Sequence, residues 1–394
     1  MERVVRVVVV GGGYAGIIAA NRLRTREDVQ ITVINPRPRF VERIRLHQLV
    51  AGSGSAAVEY AALLGAGIRL IVDEATVIDG VRRSVALKSG GNVAYDYLIY
   101  AVGSHGAAPA VPGAAEYAYD IAEFEHAEQL RDALAGADAA APVTVVGAGP
   151  TGIETAAELA EQGRPVTLVC GGLLGPYLTT AARRSVARQL TTLGVTIVDG
   201  PDAKVTAVHP HSVVLADGRE LPSPITVWTA GFGVPDLAAR SGLSTDAVGR
   251  LLTDETLTSI DDPRILAAGD AAAPSGQPLR MSCQAAIPLG AHAAGTILSR
   301  LAESEPAAID IAFIGQCISL GRKRATMQLA HFDDTARRAY LAGRFAATVK
   351  EAICKSTVWG LAREARKPGS YSAIKGGKRQ QRIAAAMALA DQQR

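Results

Sequence analysis

Apolar residues follow two alternating rhythms along the first part of the chain. The segment RVVVVGGGYAGIIAANRL, residues 6–23, opens as an unbroken β-branched run, passes through glycines, and continues with helical spacing. A strand apolar at every position is expected where both faces of a parallel sheet are covered. A second strand is predicted from Gln30 to Asn35. The pattern returns at Pro142 as PVTVVGAGPTGIETAAELAEQG, followed by PVTLVC from Pro165. Each copy is followed by an alternating, hairpin-like stretch that ends at Gly103 or at Gly231. This is an internal duplication of one strand–turn–helix unit. Further on, Arg264 to Ala268 reads as a buried strand ending at Gly269 and Asp270, and a helix is predicted from about Ala285 to Ala302. Beyond Ile309, strands (DIAFIGQCISL, ATMQLAHF) precede basic helices, and the glycine-rich segment after Lys367 reads as a mobile connector.

At 394 residues the chain is long enough for two or three domains. A net charge of +3 gives no support to a nucleic-acid binder. The charge is uneven, however. Residues 337–394 carry 13 basic and 3 acidic side chains, a net of +10 on a body of −7. The four cysteines form no C-x-x-C pair, which excludes the usual zinc ribbon and the local redox-dithiol motifs. No stretch supplies the ~20 unbroken apolar residues of a spanning helix, so a cytoplasmic protein, soluble or peripheral on the inner face of a membrane, is expected.

The first glycine motif is Gly11-x-Gly13-x-x-Gly16. In this context the first glycine permits the tight turn, the second lets backbone approach a pyrophosphate, and the third lets helix pack on strand. The helix N-terminus then offers free N–H groups and a favourable dipole to the diphosphate. The usual acidic residue at the end of the second strand is replaced by Asn35, which either bonds a ribose hydroxyl as a neutral partner or only shapes the turn before Pro36. The second motif is Gly147-x-Gly149-x-x-Gly152, followed by Glu154. Its acid position falls on Cys170, so the carboxylate that favours NAD over NADP is missing. A carboxylate at Gly269-Asp270 is placed to accept from the ribityl hydroxyls of a flavin.

Together these motifs resemble the two-dinucleotide-binding-domain flavoproteins, over nearly the whole chain. Within that group the sequence is most similar to the type II NADH:quinone oxidoreductases. The resemblance rests on GGGYAGI, AVGS, GAGPTGIE, WTAGF, ILAAGDAA and SCQAAIPLGAHAAG. It implies an α/β fold with two Rossmann-like domains and a C-terminal α+β region. The flavin domain spans 1–120 and 252–308, the inserted NAD(P)H domain 121–251, and the C-terminal region 309–394. It implies FAD on Gly11, Gly13, Gly16, Asn35, Arg45, Val77, Gly103, Gly269 and Asp270, and NAD(P)H along Gly147, Gly149 and Gly152. Glu154 would lie near the nicotinamide, or serve only as a first-turn acid. Gln284 would sit close to the flavin ring, and Arg45 and His47 would touch it from the loop Arg43 to Gln48.

Two departures matter. The family's double Gln, which lines the quinone tunnel, is Pro288-Leu289 here. The basic tail (with IAAAMALA, Ile383 to Ala390, and Trp359) suits anionic lipid, a partner subunit such as a homodimer, or plain solvation. The expected activity is hydride transfer from NAD(P)H to FAD and onward to a quinone-like or other small aromatic acceptor. The alternative is a flavin oxidase or dehydrogenase of a specialised small molecule, with the second unit a relic. A sulfide:quinone reductase would need a cysteine pair at the flavin, which four scattered cysteines do not identify.

Overall fold

The computed structural model describes residues 4–107 and 109–392, with the side chains of residues 386–392 left aside. Two five-stranded parallel sheets form its centre. The first runs, edge to edge, Ile265–Ala267, Tyr97–Tyr100, Val5–Val10, Val29–Asn35, Ile68–Val72. The second repeats the plan as Ala118–Asp120, Ile225–Trp228, Val143–Val146, Val166–Val169, Thr196–Val198. The β-branched runs are the central strands, and Val7 to Val10 and Val143 to Val146 are buried. Each sheet carries a three-stranded antiparallel appendage: Ala75–Asp79, Ser84–Leu87 and Asn92–Ala94 on the first, Val205–His209, Ser212–Leu215 and Glu220–Pro222 on the second. The duplication read from the sequence therefore extends through the hairpins.

The chain enters and leaves the second sheet side by side. Gly103 and Gly231 both adopt left-handed backbone, with φ of 73° and 89°. The two-residue strands that follow, His105–Gly106 and Phe232–Gly233, pair antiparallel.

Helices Tyr14–Leu23 and Cys283–Leu301 pack closely because Gly290 leaves room for the backbone of Ala15, where a Cβ would collide with its carbonyl. The helix begins at Cys283, capped by Ser282, two residues before the predicted start. The C-terminal region is a three-stranded antiparallel sheet, Gly315–Ser319, Ala325–Ala330 and Ala336–Ala342, followed by helix Gly343–Arg366 packed on it. Two expectations fail here. Residues 310–314 are not strand, and the basic segment from Ala336 opens with a strand, whose largely exposed side chains suit the edge of the sheet. Nor does the segment after Lys367 hang free. Ala312 N–H donates to the Ile374 carbonyl at 3.0 Å, and Gly376 and Gly377 N–H groups donate to Asp310 Oδ1 at 2.9 and 2.7 Å. Among the described residues, no helix is long and apolar enough to cross a membrane.

Candidate functional site

Both glycine cradles have the geometry that an anion needs. A Cβ on Gly11 would strike the Ala101 carbonyl, and one on Gly16 would strike the carbonyl of Gly11. The second cradle repeats this, with Gly152 against the carbonyl of Gly147 and Gly147 against Thr229 Oγ1. The middle glycines differ. Gly13 and Gly149 face open space, and neither helix start has a side-chain cap. Uncapped N–H groups above an open glycine leave room and donors for an anion such as a diphosphate.

Asn35 spends its amide on the loop. Its Oδ1 accepts from Gly12 N–H at 2.9 Å and its Nδ2 donates to the Arg37 carbonyl at 2.9 Å. Tyr60 Oη donates to the Gly12 carbonyl at 2.9 Å, so the peptide units on both sides of Gly12 are held. Asp270 follows a buried strand and accepts from Ser104 Oγ at 2.7 Å and Ser282 N–H at 3.1 Å. Arg43 stands beside it, 3.9 Å away, donating to Ser104 Oγ at 2.9 Å. Gly269 (φ 73°) precedes it. Val77 lies on the exposed side of its appendage hairpin, at a register shift. These placements fit a flavin dinucleotide laid from Gly13 toward Asp270 and Gln284. Gln284 Oε1 accepts from Ile314 N–H at 3.1 Å, tying the helix start to the C-terminal region.

The chemistry converges where three regions meet. Glu154 is buried one turn into helix Pro150–Glu161, so it is not the first-turn acid that its spacing allowed. Its Oε1 accepts from Ser319 N–H at 2.9 Å and Ser319 Oγ at 3.2 Å, and forms an ion pair with Lys350. Lys350 Nζ also donates to Ser319 Oγ at 2.8 Å. His47 comes from the other domain, with Nδ1 3.5 Å from Glu154 Oε2 and Nε2 3.3 Å from Ser319 Oγ. Burial pushes the His47 imidazole down to about 4, against the opposing pull of Glu154. Burial raises the Glu154 carboxyl, but Lys350, His47 and the Ser319 bond together hold it below its ordinary value. At neutral pH the cluster holds a Glu154 carboxylate and a neutral His47 imidazole.

Arg45 lies one layer out, bonded to Glu42 Oε2 (3.2 Å), Gln48 Oε1 (3.1 Å) and Glu351 (3.1 and 3.2 Å). Tyr14 Oη and Tyr177 Oη are buried with no hydrogen-bond partner among the described residues. Tyr177 feels the Glu154 charge, and Tyr14 feels Glu42. Buried, unpaired hydroxyls are uncommon, and each calls for an explanation such as a bound water, an ion or a functional role.

Ser319, Lys350 and Tyr177 carried no signal in the sequence, since no motif surrounds any of them, and Tyr14, inside the first glycine motif, stands at one of its unspecified positions. Cys170 does not stand at a ribose position. Its thiol is buried in the core of the second domain, and burial pushes it up to about 12. Gly171 and Gly172 follow with open space beside them. Leu289, in place of a family glutamine, is packed in the core of the first domain. Among the described residues no cluster of His, Cys, Asp and Glu is suited to a metal ion.

The chain was compared with known proteins. A family model described as pyridine nucleotide-disulphide oxidoreductase matches residues 5–290. An NADH dehydrogenase-like protein of Mycobacterium tuberculosis is 32% identical over 380 residues, covering 88% of this chain and 92% of the relative. The type II NADH:quinone oxidoreductase of the same organism is 28% identical over 347 residues, covering 77% and 74%. Among solved structures, the sulfide:quinone oxidoreductase of Aquifex aeolicus superposes with a TM-score of 0.79 at 23% identity, covering 92% and 93%. NDH2 of Plasmodium falciparum in complex with NADH superposes with a TM-score of 0.76 at 16% identity, covering 94% and 99%.

Proposed function

Because the chain belongs to the pyridine nucleotide-disulphide oxidoreductase family, as an NADH dehydrogenase-like oxidoreductase working with FAD and NAD(P)H, we propose that it passes electrons from NAD(P)H through flavin to a quinone-like aromatic acceptor. The observation that carries this reading is the buried contact of Glu154, from the second cradle, with Lys350 and Ser319 of the C-terminal region and His47 of the first domain. A nicotinamide entering along Gly149 and a flavin extending from Asp270 would meet at this junction.

On this reading, residues 1–120 and 252–308 bind FAD, 121–251 bind NAD(P)H, and 309–394 close the acceptor side. Flavin, when bound, supplies two-electron transfer between nicotinamide and acceptor. The protein's part is to hold the two rings in contact, exclude water and deliver a proton. Reduction of a quinone by NADH takes up one proton from solvent. Lys350 Nζ holds such a proton beside the junction, and Glu154 and Ser319 Oγ fix its position. Glu154 also places negative charge where the nicotinamide becomes cationic. The relatives named for quinone reduction support the acceptor class. Leu289 in the core removes the amides that a long-tailed quinone would meet in the family, which supports a small or weakly anchored acceptor.

The C-terminal helix supports peripheral membrane contact. Phe345 (67% exposed) and Trp359 (57% exposed) lie 14 residues apart, about 40° from eclipsed on the helix. Arg363 stacks over the Trp359 ring at 5.4 Å. An aromatic pair framed by cations suits an anionic lipid interface.

The test is anaerobic addition of NADH, then NADPH, to the flavin-loaded protein. Bleaching near the flavin absorbance maximum is expected, with return of colour on adding menadione. Absence of bleaching by either nucleotide, with bleaching by dithionite, would overturn the nicotinamide reading.

A further inference from the structure

The basic excess of residues 337–394 comes to a focus at one hollow. A cavity of about 210 Å³ lies between the tip of the hairpin joining strands Ala325–Ala330 and Ala336–Ala342 and the start of the last helix, Arg379–Gln392. One ordered water needs only roughly 10–15 Å³. Arg337, Lys378 and Arg382 line the hollow, and Phe332, 48% exposed, gives it an aromatic wall. It shares no residue with either glycine cradle.

The basic side chains there are unmatched. A neighbouring cavity of about 230 Å³ shares Asp333 and Arg382 with the hollow, and its other arginines are paired. Arg280 meets Asp334 at two points (2.6 and 2.9 Å), and Arg379 meets Glu255 at two (2.8 and 3.0 Å). On the far side of Arg382 the balance changes. Among the described residues no carboxylate pairs with Arg337 or Lys378. The acidic residue lining the hollow, Asp333, has its Oδ1 occupied by Thr335 N–H (3.1 Å) and Thr335 Oγ1 (2.6 Å). Arg382 Nη1 donates to the Asp333 carbonyl at 3.1 Å, which holds the guanidinium at the hairpin tip and leaves it further donors. Arg382 N–H donates to the Lys378 carbonyl at 3.2 Å, so the helical bonding begins at Lys378. The leading N–H groups of that turn lack helical partners, and the helix dipole there favours an anion.

We propose that this hollow binds a mononucleotide, with its phosphate on Arg337, Lys378 and Arg382 and its base against Phe332. Guanidinium and lysine donors suit the several acceptor oxygens of a phosphate monoester. Any base presents a π-face to an aromatic ring, so Phe332 adds affinity without choosing among bases. The two features meet in one ligand class. A bare phosphate would leave the ring uncovered, and an uncharged aromatic would leave the basic groups unmatched. The site is separate from the electron-transfer reading and does not depend on it.

The test maps side-chain reactivity in the full-length, flavin-loaded protein. Phenylglyoxal reports on arginine and an acetylating ester on lysine, read residue by residue by mass spectrometry. AMP is expected to slow modification of Arg337, Lys378 and Arg382. Arg338 and Lys375, exposed but outside the hollow, should react unchanged. Adenosine should protect none of the three. Arg337→Ala with Lys378→Ala should weaken the AMP protection of Arg382 by about tenfold or more, the worth of a hydrogen bond to a charged group. Phe332→Ser should weaken AMP several-fold and leave inorganic phosphate unaffected. All three substituted positions are exposed, so melting temperatures should stay unchanged. AMP held only in the second glycine cradle would leave the three side chains reactive and overturn the proposal. Equal protection by phosphate and AMP, indifferent to Phe332, would overturn it in favour of a bare anion. Protection only by vesicles containing phosphatidic acid would overturn it in favour of a lipid headgroup.

Discussion

Lys350 and Glu154 lie 196 residues apart in the chain and form a buried ion pair whose shared third member is Ser319. The pair joins the C-terminal sheet and helix to the second dinucleotide domain. Removing one partner leaves the other charge buried and unpaired, which costs about 3–5 kcal/mol, whereas removing both costs much less. Glu154→Gln and Lys350→Met are each expected to lower unfolding stability by roughly that amount. The double variant should recover most of it, as read from denaturant melts of the flavin-loaded protein. Because Glu154 titrates below its ordinary value when folded, its contribution is present above about pH 4.5 and is lost on further acidification.

His47 has the opposite history. It is held neutral, with a folded value of about 4 against 6.5 when unfolded. Between those two values the unfolded chain binds the extra proton, so stability falls as pH drops from 6.5 toward 4. His47→Asn should flatten that part of the stability profile. A profile unchanged by the substitution would show that folding does not shift the titration of His47.

The two kinds of cradle glycine should separate binding from folding. Gly13 faces open space, so Gly13→Ala is expected to fold and to bind FAD at least tenfold more weakly, by crowding the diphosphate. Gly16→Ala collides with the carbonyl of Gly11 and should destabilise the domain itself. Flavin absorbance per chain and thermal melting distinguish these outcomes.

Nicotinamide selectivity follows from what stands beyond the second strand. With Cys170 turned into the core and Gly171 beside open space, no carboxylate at the strand end polices the ribose 2′ position. NADH and NADPH are expected to differ by less than about tenfold in kcat/KM. Gly171→Asp should shift the ratio toward NADH by about tenfold or more, since an ionised side chain there repels a 2′-phosphate. Anaerobic bleaching rates with each nucleotide provide the check.

Phe345 and Trp359 carry the membrane prediction. Vesicles containing anionic lipid should pull down the unaltered protein at low salt, and Phe345→Ser with Trp359→Ser should cut the bound fraction several-fold. Equal binding to neutral vesicles would indicate that the basic charge plays no part.

The sequence and the structure agree most where one local pattern carries both fold and chemistry. Gly11 to Gly16 and Gly147 to Gly152 are legible because turn, close packing and anion seat need the same residues within six positions. The hairpin echo at Gly103 and Gly231 is legible for the same reason. Lys350 and Ser319 are not legible. They depend on how an antiparallel sheet and a long helix dock across domains, and no nearby residue spacing encodes that. Asn35 shows the limit in miniature: its identity suggested a ribose contact, while its hydrogen bonds go to Gly12 and Arg37. Strand Ala336–Ala342 was hidden by its arginines, which an exposed edge tolerates readily.

The paired strands His105–Gly106 and Phe232–Gly233 make the second domain an insert with a single doorway. Its entry and exit are hydrogen-bonded neighbours, so the chain leaves the first sheet and returns to it at one place. The second sheet, which repeats the plan of the first, is thus inserted between two strands of the first, Tyr97–Tyr100 and Ile265–Ala267, that are themselves paired.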